Sequence, residues 1–78
     1  MKDLVEIIAN ALVDSPDQVV VTETKKEDTV VVELRVAPSD MGKVIGKQGR
    51  IAKSIRSVVN AAAARDKIKV VVDIVDVQ

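Results

Sequence analysis

The chain has 78 residues, of which 47% are hydrophobic, and it contains no aromatic residue, no cysteine and no histidine. This length allows one domain, residues 1–78, with a core small enough that a partner subunit would add to its stability. The missing residue types exclude disulfides, thiol nucleophiles and the commonest general base and metal ligands. We therefore expect a non-enzyme with no catalytic residue, no metal, no cofactor and no small-molecule substrate.

Neither a membrane span nor a secretion signal is visible in the sequence. Its apolar runs fall far short of the roughly 20 residues that a membrane-spanning helix needs. The first residues also lack the long apolar segment of a signal peptide. We expect a cytoplasmic protein without membrane insertion.

The first predicted element is a helix over residues 3–13. Its apolar residues recur at three- and four-residue spacing on one face: Leu4, Ile7, Ile8, Ala11 and Leu12. Asp3 is a candidate cap for its start, and Pro16 marks its end because proline disfavours helix in the preceding residue.

Two strands are predicted next. Residues 18–24 are rich in valine and threonine, and residues 25–28 form a polar connection. Residues 29–36 alternate more clearly, which predicts a strand with one apolar face: Val30, Val32, Leu34 and Val36.

The second half predicts helix, glycine loop, helix and strand. A short helix over 40–45, with Ser39 as candidate cap, precedes the loop. The longer helix, residues 50–64, has an apolar stripe of Ile51, Ile55, Val58, Val59 and Ala62. A last strand over 68–77 places Ile68, Val70, Val72 and Ile74 on one face. The order α-β-β-α-α-β predicts an α+β fold of two layers, with three helices on one face of a three-stranded sheet.

Charge is distributed unevenly although the formal total is zero. From residue 41 to residue 65 the chain carries six basic residues and no acid, and elsewhere it carries six basic and twelve acidic residues. Local charge, more than the total, determines where an anion binds. This segment is therefore a candidate nucleic-acid surface, and the alternative is a solvated helix face.

The segment centres on a loop with two glycines, Gly46 and Gly49, around Lys47 and Gln48. Glycine allows another backbone to approach closely, and a helix that starts just after Gly49 directs free N–H groups into the loop. Loops of the G-x-x-G type that clamp about four nucleotides are the signature of the KH module.

The element order and the run Gly-Lys-Val-Ile-Gly-Lys-Gln-Gly-Arg-Ile-Ala-Lys-Ser-Ile-Arg, residues 42–56, resemble a type II KH domain. The resemblance covers essentially the whole chain, whose length is similar to that of the small stand-alone bacterial KH-domain RNA-binding proteins of the KhpA (YlqC-like) family. Many KH loops place isoleucine three residues after the second glycine. Here Ala52 has that place and the isoleucine comes one residue earlier, at Ile51.

The resemblance implies that single-stranded RNA is the partner and that the loop holds its backbone. Lys47 would supply charge, Gln48 a hydrogen bond and Arg50 a flanking charge, and the bases would point toward apolar side chains and the edge of the sheet. The candidate RNA-binding residues are Lys43, Ile45, Gly46, Lys47, Gln48, Gly49, Arg50, Ile51 and Lys53. The implied role is that of a post-transcriptional regulator or RNA chaperone.

The long helix also carries more apolar surface than one core face needs, with Ala52, Ala61, Ala63 and Ala64 beyond the main stripe. We hypothesise that its C-terminal half forms a homodimer or a heterodimer with a related KH protein, as the resemblance also implies. The alternative is that alanine here reflects helix propensity alone. Two other functions stay open: a protein-interaction module with weak or no nucleic-acid binding, and a binder of single-stranded DNA.

Overall fold

The computed structural model describes residues 1–76, and it contains the predicted order of helices and strands. Its regular elements are α1 (Lys2–Leu12), β1 (Val20–Lys26), β2 (Thr29–Val36), α2 (Met41–Ile45), α3 (Arg50–Arg65) and β3 (Lys69–Asp76). Short 3₁₀ turns occupy Pro16–Gln18, Pro38–Asp40 and Lys47–Gly49. Val77, the predicted end of the last strand, lies outside the described residues.

The sheet has the order β1-β2-β3, so β2 is central and the other two strands are edges. β1 and β2 are antiparallel, whereas β2 and β3 are parallel. Parallel neighbours need a crossover connection, and here α2, the glycine loop and α3 form it. The loop is therefore part of the crossover between β2 and β3.

The core lies on one face of the sheet, as the alternation in β2 predicted. Val30, Val32, Leu34 and Val36 are all buried, whereas the intervening residues of β2 are half-buried or exposed. Because β3 repeats this alternation with buried Val70 and Val72, the helices cover one face of the sheet and leave the other open. The predicted α+β class and one-sided helix layer are therefore confirmed.

The predicted core face of α3 was correct at Ile55 and Val59 but not at Val58, because the helix is rotated from the predicted orientation. Its buried residues are Ala52, Ile55, Val59 and Ala63, whereas Val58 is 49% exposed. Alanine at two of the four positions lets α3 lie close to the sheet, and the larger Ile51 and Val58 turn toward its flank. Apolar spacing alone did not distinguish these two faces because both are apolar.

The helix α1 shows a similar shift. Val5 and Ala9 face the core, while Ile7 is 68% exposed and Ala11 is exposed as well. The N-cap position is Met1, so the predicted cap Asp3 instead lies in the first turn. A carboxylate there still interacts favourably with the helix dipole.

The boundaries of β1 also differ from the prediction. The 3₁₀ turn that starts at Pro16 delays the strand until Val20, and the strand then continues through Lys25 and Lys26. Lys26 pairs with Thr29, which leaves a two-residue turn between the strands. Glu27 has φ 48° in that turn.

The only buried charged side chain among residues 1–76 is Asp40, which links α1 to α2. Its carboxylate accepts hydrogen bonds from the backbone N–H groups of Asp14 (3.2 Å) and Ser15 (3.0 Å). Asp40, and not the predicted Ser39, occupies the N-cap position of α2. Its side chain makes no capping hydrogen bond to α2 and instead accepts the two bonds from the backbone that follows α1. This one carboxylate therefore connects the end of α1 to the start of the crossover.

We expect Asp40→Ala to lower the free energy of unfolding by about 1–3 kcal/mol, because two part-buried N–H groups lose their acceptor. Urea unfolding followed by circular dichroism measures this change. The matched control is Asp17→Ala, which removes an exposed carboxylate from the neighbouring 3₁₀ turn. Equal stability of the two variants would contradict a structural role for Asp40.

Candidate nucleic-acid interface

The glycine loop reverses the chain by means of left-handed backbone conformations. Gly46 has φ 76° and ψ 176°, a region essentially restricted to glycine. Gln48 (φ 58°) and Gly49 (φ 73°) are consecutive left-handed residues, and α3 begins immediately afterwards at Arg50. The loop is closed by a 3.2 Å hydrogen bond from the N–H of Gly49 to the C=O of Gly46.

The side chain of Ile51 lies directly against Gly46. A Cβ atom at Gly46 would stand 2.5 Å from Cγ1 of Ile51, whereas the space around Gly49 is open. Ala52 is buried in the core at the position where many KH loops carry isoleucine. The shift of isoleucine to residue 51 thus produces a contact that requires glycine at residue 46.

Three basic side chains near the loop have no carboxylate partner within residues 1–76: Lys47, Arg50 and Lys53 are all exposed. Nη2 of Arg50 donates a 3.3 Å hydrogen bond to Oε1 of Gln48. This bond uses the amide oxygen of Gln48, and its NH₂ group has no hydrogen-bond partner among residues 1–76. A shallow depression of about 560 Å³ continues along α3 beside Arg50 and Lys53.

The structure places Lys43 differently from the other basic residues. Its Nζ lies 2.8 Å from Oδ2 of Asp14 and 3.6 Å from Oδ1 of Asp40. The hydrogen bond and charge of Asp14, and then the charge of Asp40, raise the pKa of Lys43 above its ordinary value. Because its charge is already balanced, Lys43 adds less than expected to a phosphate track.

The two isoleucines expected beneath the bases are both half-buried against the core. Ile51 faces α1, where it lines an apolar groove of about 250 Å³ together with Ile8, Leu12, Ser54, Ile55 and Val58. This position is on the flank of α3 away from the β3 edge. A direct contact of Ile45 or Ile51 with bases stays a prediction.

The candidate RNA-binding residues did not include Arg56, which the structure brings to the edge of the sheet. Its Nε donates a 3.3 Å hydrogen bond to the backbone C=O of Val72 in β3. The two residues are 16 positions apart, and only the packing of α3 against β3 makes them neighbours. No spacing within α3 would have revealed this contact.

Neither a metal cluster nor a membrane helix is present in the part of the chain that the structure describes. Among residues 1–76, no three acidic side chains come together in a way that could hold a metal ion. None of the helices in this range has both the length and the apolar character needed to cross a bilayer.

Comparison with known proteins gives the family. The family model described as "KhpA/KhpB, KH domain" matches residues 2–74. This chain belongs to the KhpA/KhpB KH-domain family. Among curated members, it is 61% identical over 75 residues to RNA-binding protein KhpA of Clostridium perfringens, covering 96% of this chain and 100% of that protein. RNA-binding protein KhpA of Aquifex aeolicus is 50% identical over 76 residues, with 97% and 96% of the two chains covered.

A solved structure shows the same fold at low sequence identity. The chain superposes on part of the crystal structure of Era in complex with MgGDPNP and nucleotides 1506–1542 of 16S ribosomal RNA, with a TM-score of 0.65 and 17% identity. The match covers 96% of this chain and 29% of that chain. The likeness supports the KH-like fold of the KhpA/KhpB family and carries no further argument about residues.

We expect the two loop glycines to respond differently to alanine. Gly46→Ala should lower the free energy of unfolding by about 2–5 kcal/mol, because it combines a forbidden backbone region with a clash against Ile51. Gly49→Ala should cost about 1–2 kcal/mol, the strain of one left-handed residue in open space. Parallel urea titrations compare them, and equal losses would mean that Ile51 does not restrict the loop.

Proposed function

We propose that this chain binds single-stranded RNA by clamping its phosphodiester backbone with the Gly46–Gly49 loop. The observation that carries the proposal is the conformation of the loop, which brings unpaired cationic side chains and the start of α3 to one exposed place. Relatives that match this chain along their whole length bear the name RNA-binding protein KhpA, which supports RNA as the ligand.

Three kinds of donor would contact phosphate at this loop. The first N–H groups of α3 have no partner within the helix, and their dipoles favour an anion beside Gly49. Lys47 supplies a charge within the loop, and Arg50 and Lys53 extend it along the helix. The NH₂ group of Gln48 adds a neutral donor.

The binding should be modest in affinity and tolerant of sequence. The chain has no aromatic residue, so base stacking on an aromatic ring, worth roughly 1–3 kcal/mol per base elsewhere, is absent. Weak contacts that mainly hold the backbone suit a cytoplasmic post-transcriptional regulator or RNA chaperone, because such a protein must release and rebind its RNA.

The test of the loop is the double substitution Lys47→Asp, Gln48→Asp, which reverses the charge and keeps both glycines. We expect fluorescence anisotropy with a labelled single-stranded RNA to show binding by the wild type and none by the variant. Wild-type affinity should also fall with salt at a log–log slope of about −2, since Lys47, Arg50 and Lys53 each contribute about −0.7.

The matched control is Lys2→Asp, Asn10→Asp, which makes the same change of charge at exposed positions of α1. If the control loses as much affinity as the loop variant, the binding depends on total charge and the loop is not a clamp. If the wild type binds no RNA, the chain is an interaction module. Equal affinity for a DNA oligonucleotide of the same sequence would favour the single-stranded DNA alternative.

We also propose that the groove between α1 and α3 pairs this chain with a second copy or a related KH protein. Val58, which lines this groove, is 49% exposed, and five of the six side chains that line the groove are apolar. This surface differs from the hypothesised C-terminal half of α3, where Ala63 is buried in the core while Ala61 and Ala64 are exposed. Pairing would place two weak RNA sites on one strand and raise avidity.

We expect Val58→Asp to convert a dimer into a monomer, because it places a carboxylate on the apolar groove. Sedimentation at high-micromolar concentration measures the mass, with Asn60→Asp on an exposed position of the same helix as control. Ala61→Asp tests the alanine-rich surface, and dissociation by that variant alone would move the interface there. A monomeric wild type would remove the pairing proposal.

A further inference from the structure

Gln48 has a backbone conformation that glycine would adopt without strain. Its φ of 58° and ψ of 26° lie in the left-handed region, where the Cβ atom of a non-glycine residue meets its own backbone. The next residue, Gly49, has a similar conformation (φ 73°) but no Cβ. Strain of this kind in an exposed loop points to a role for the side chain.

The side chain of Gln48 contacts Arg50, the first residue of α3. Oε1 of Gln48 accepts the 3.3 Å hydrogen bond from Nη2 of Arg50. This acceptor is neutral, whereas a carboxylate at the same place would neutralise the guanidinium. Because no carboxylate among residues 1–76 forms an ion pair with Arg50, the amide holds the guanidinium and leaves its full charge available.

The bond to Gln48 leaves most of the N–H donors of Arg50 free. Arg50 lines the depression that continues along α3 to Lys53, so these donors lie beside the proposed phosphate track. A long side chain loses rotamer freedom when it binds a ligand, and a contact that already holds it lowers this cost. An oriented arginine should therefore bind phosphate more tightly than a free one.

We propose that Gln48 is a positioning residue that holds the guanidinium of Arg50 ready for an RNA phosphate. Most of its effect on affinity then passes through Arg50, and the direct donor that its NH₂ group supplies contributes the smaller part. This inference rests on the proposed RNA-binding function.

A double-mutant cycle with Gln48→Gly and Arg50→Ala measures this dependence by anisotropy with a labelled single-stranded RNA. Gln48→Gly removes the side chain and the left-handed strain together, so urea unfolding should show a variant at least as stable as wild type. We expect it to bind RNA about fivefold more weakly, the effect of losing one hydrogen bond. In the Arg50→Ala background, the same substitution should change affinity by less than about twofold, because the group that it orients is gone.

Lys67→Gly is the matched control for the relief of strain. Lys67 also has φ 58°, is exposed and follows the opposite end of α3. Its replacement should keep RNA affinity within about twofold of wild type, because a distant surface charge is screened by salt. Gln48→Glu tests the value of a neutral acceptor: it can still accept from Arg50, but it should weaken binding by cancelling the charge.

A spectroscopic measurement needs no RNA. NMR relaxation of the Nε–H group reports how freely each arginine side chain moves. We expect the guanidinium of Arg50 to be more mobile in Gln48→Gly than in wild type and to stay ordered in Gln48→Glu. Arg65, at the last residue of α3, is the internal reference and should not change.

The outcomes separate this inference from the proposed function. If Gln48→Gly weakens binding by the same factor with and without Arg50, Gln48 acts through its own donor and the positioning role is wrong. Unchanged mobility of Arg50, or an equal loss of affinity in Lys67→Gly, would also overturn it, while RNA binding by the loop would stand. A wild type that binds no RNA would instead remove the proposed function itself.

Discussion

The contact between Gly46 and Ile51 is the constraint on which the candidate site depends. Ile51 fills the space in which any other residue at position 46 would place its Cβ. Gly46 also has a backbone conformation essentially restricted to glycine, and the following left-handed pair, Gln48 and Gly49, turns the chain into α3. The exposed start of α3 and the cationic side chains beside it all follow from this turn.

A second constraint is that some basic residues form ion pairs within the fold, whereas others are exposed without an acidic partner. Lys43 is neutralised by Asp14 and Asp40, whose carboxylates hold the end of α1 near the start of α2. Lys47 and Arg50, on the other side of Gly46, have no acidic partner among the described residues. A chain with a formal charge of zero thus presents a local positive surface because its acids lie elsewhere.

The helix α3 separates two surfaces that differ in chemistry. Toward α1 it presents an apolar groove beside Val58, and toward β3 it presents Arg56 on the open backbone of an edge strand. One surface suits another protein chain, whereas the other suits a polar ligand with hydrogen-bond acceptors. A dimer formed through the groove would leave the β3 edge of each copy open. It would also approach the depression beside Arg50 and Lys53, because Ser54 and Val58 line both surfaces.

Local patterns were enough to predict the element order, the apolar face of β2 and the glycine loop, because strand alternation and G-x-x-G spacing depend only on near neighbours in the chain. The pairing of Lys43, the burial of Ala52 and the contact of Arg56 with Val72 were decided by tertiary structure. The burial of Ala52 and the contact of Arg56 depend on how α3 is rotated against the sheet, and the pairing of Lys43 depends on where α1 ends near α2. The packing of the whole core determines these arrangements. Periodicity could not choose between two apolar faces of one helix.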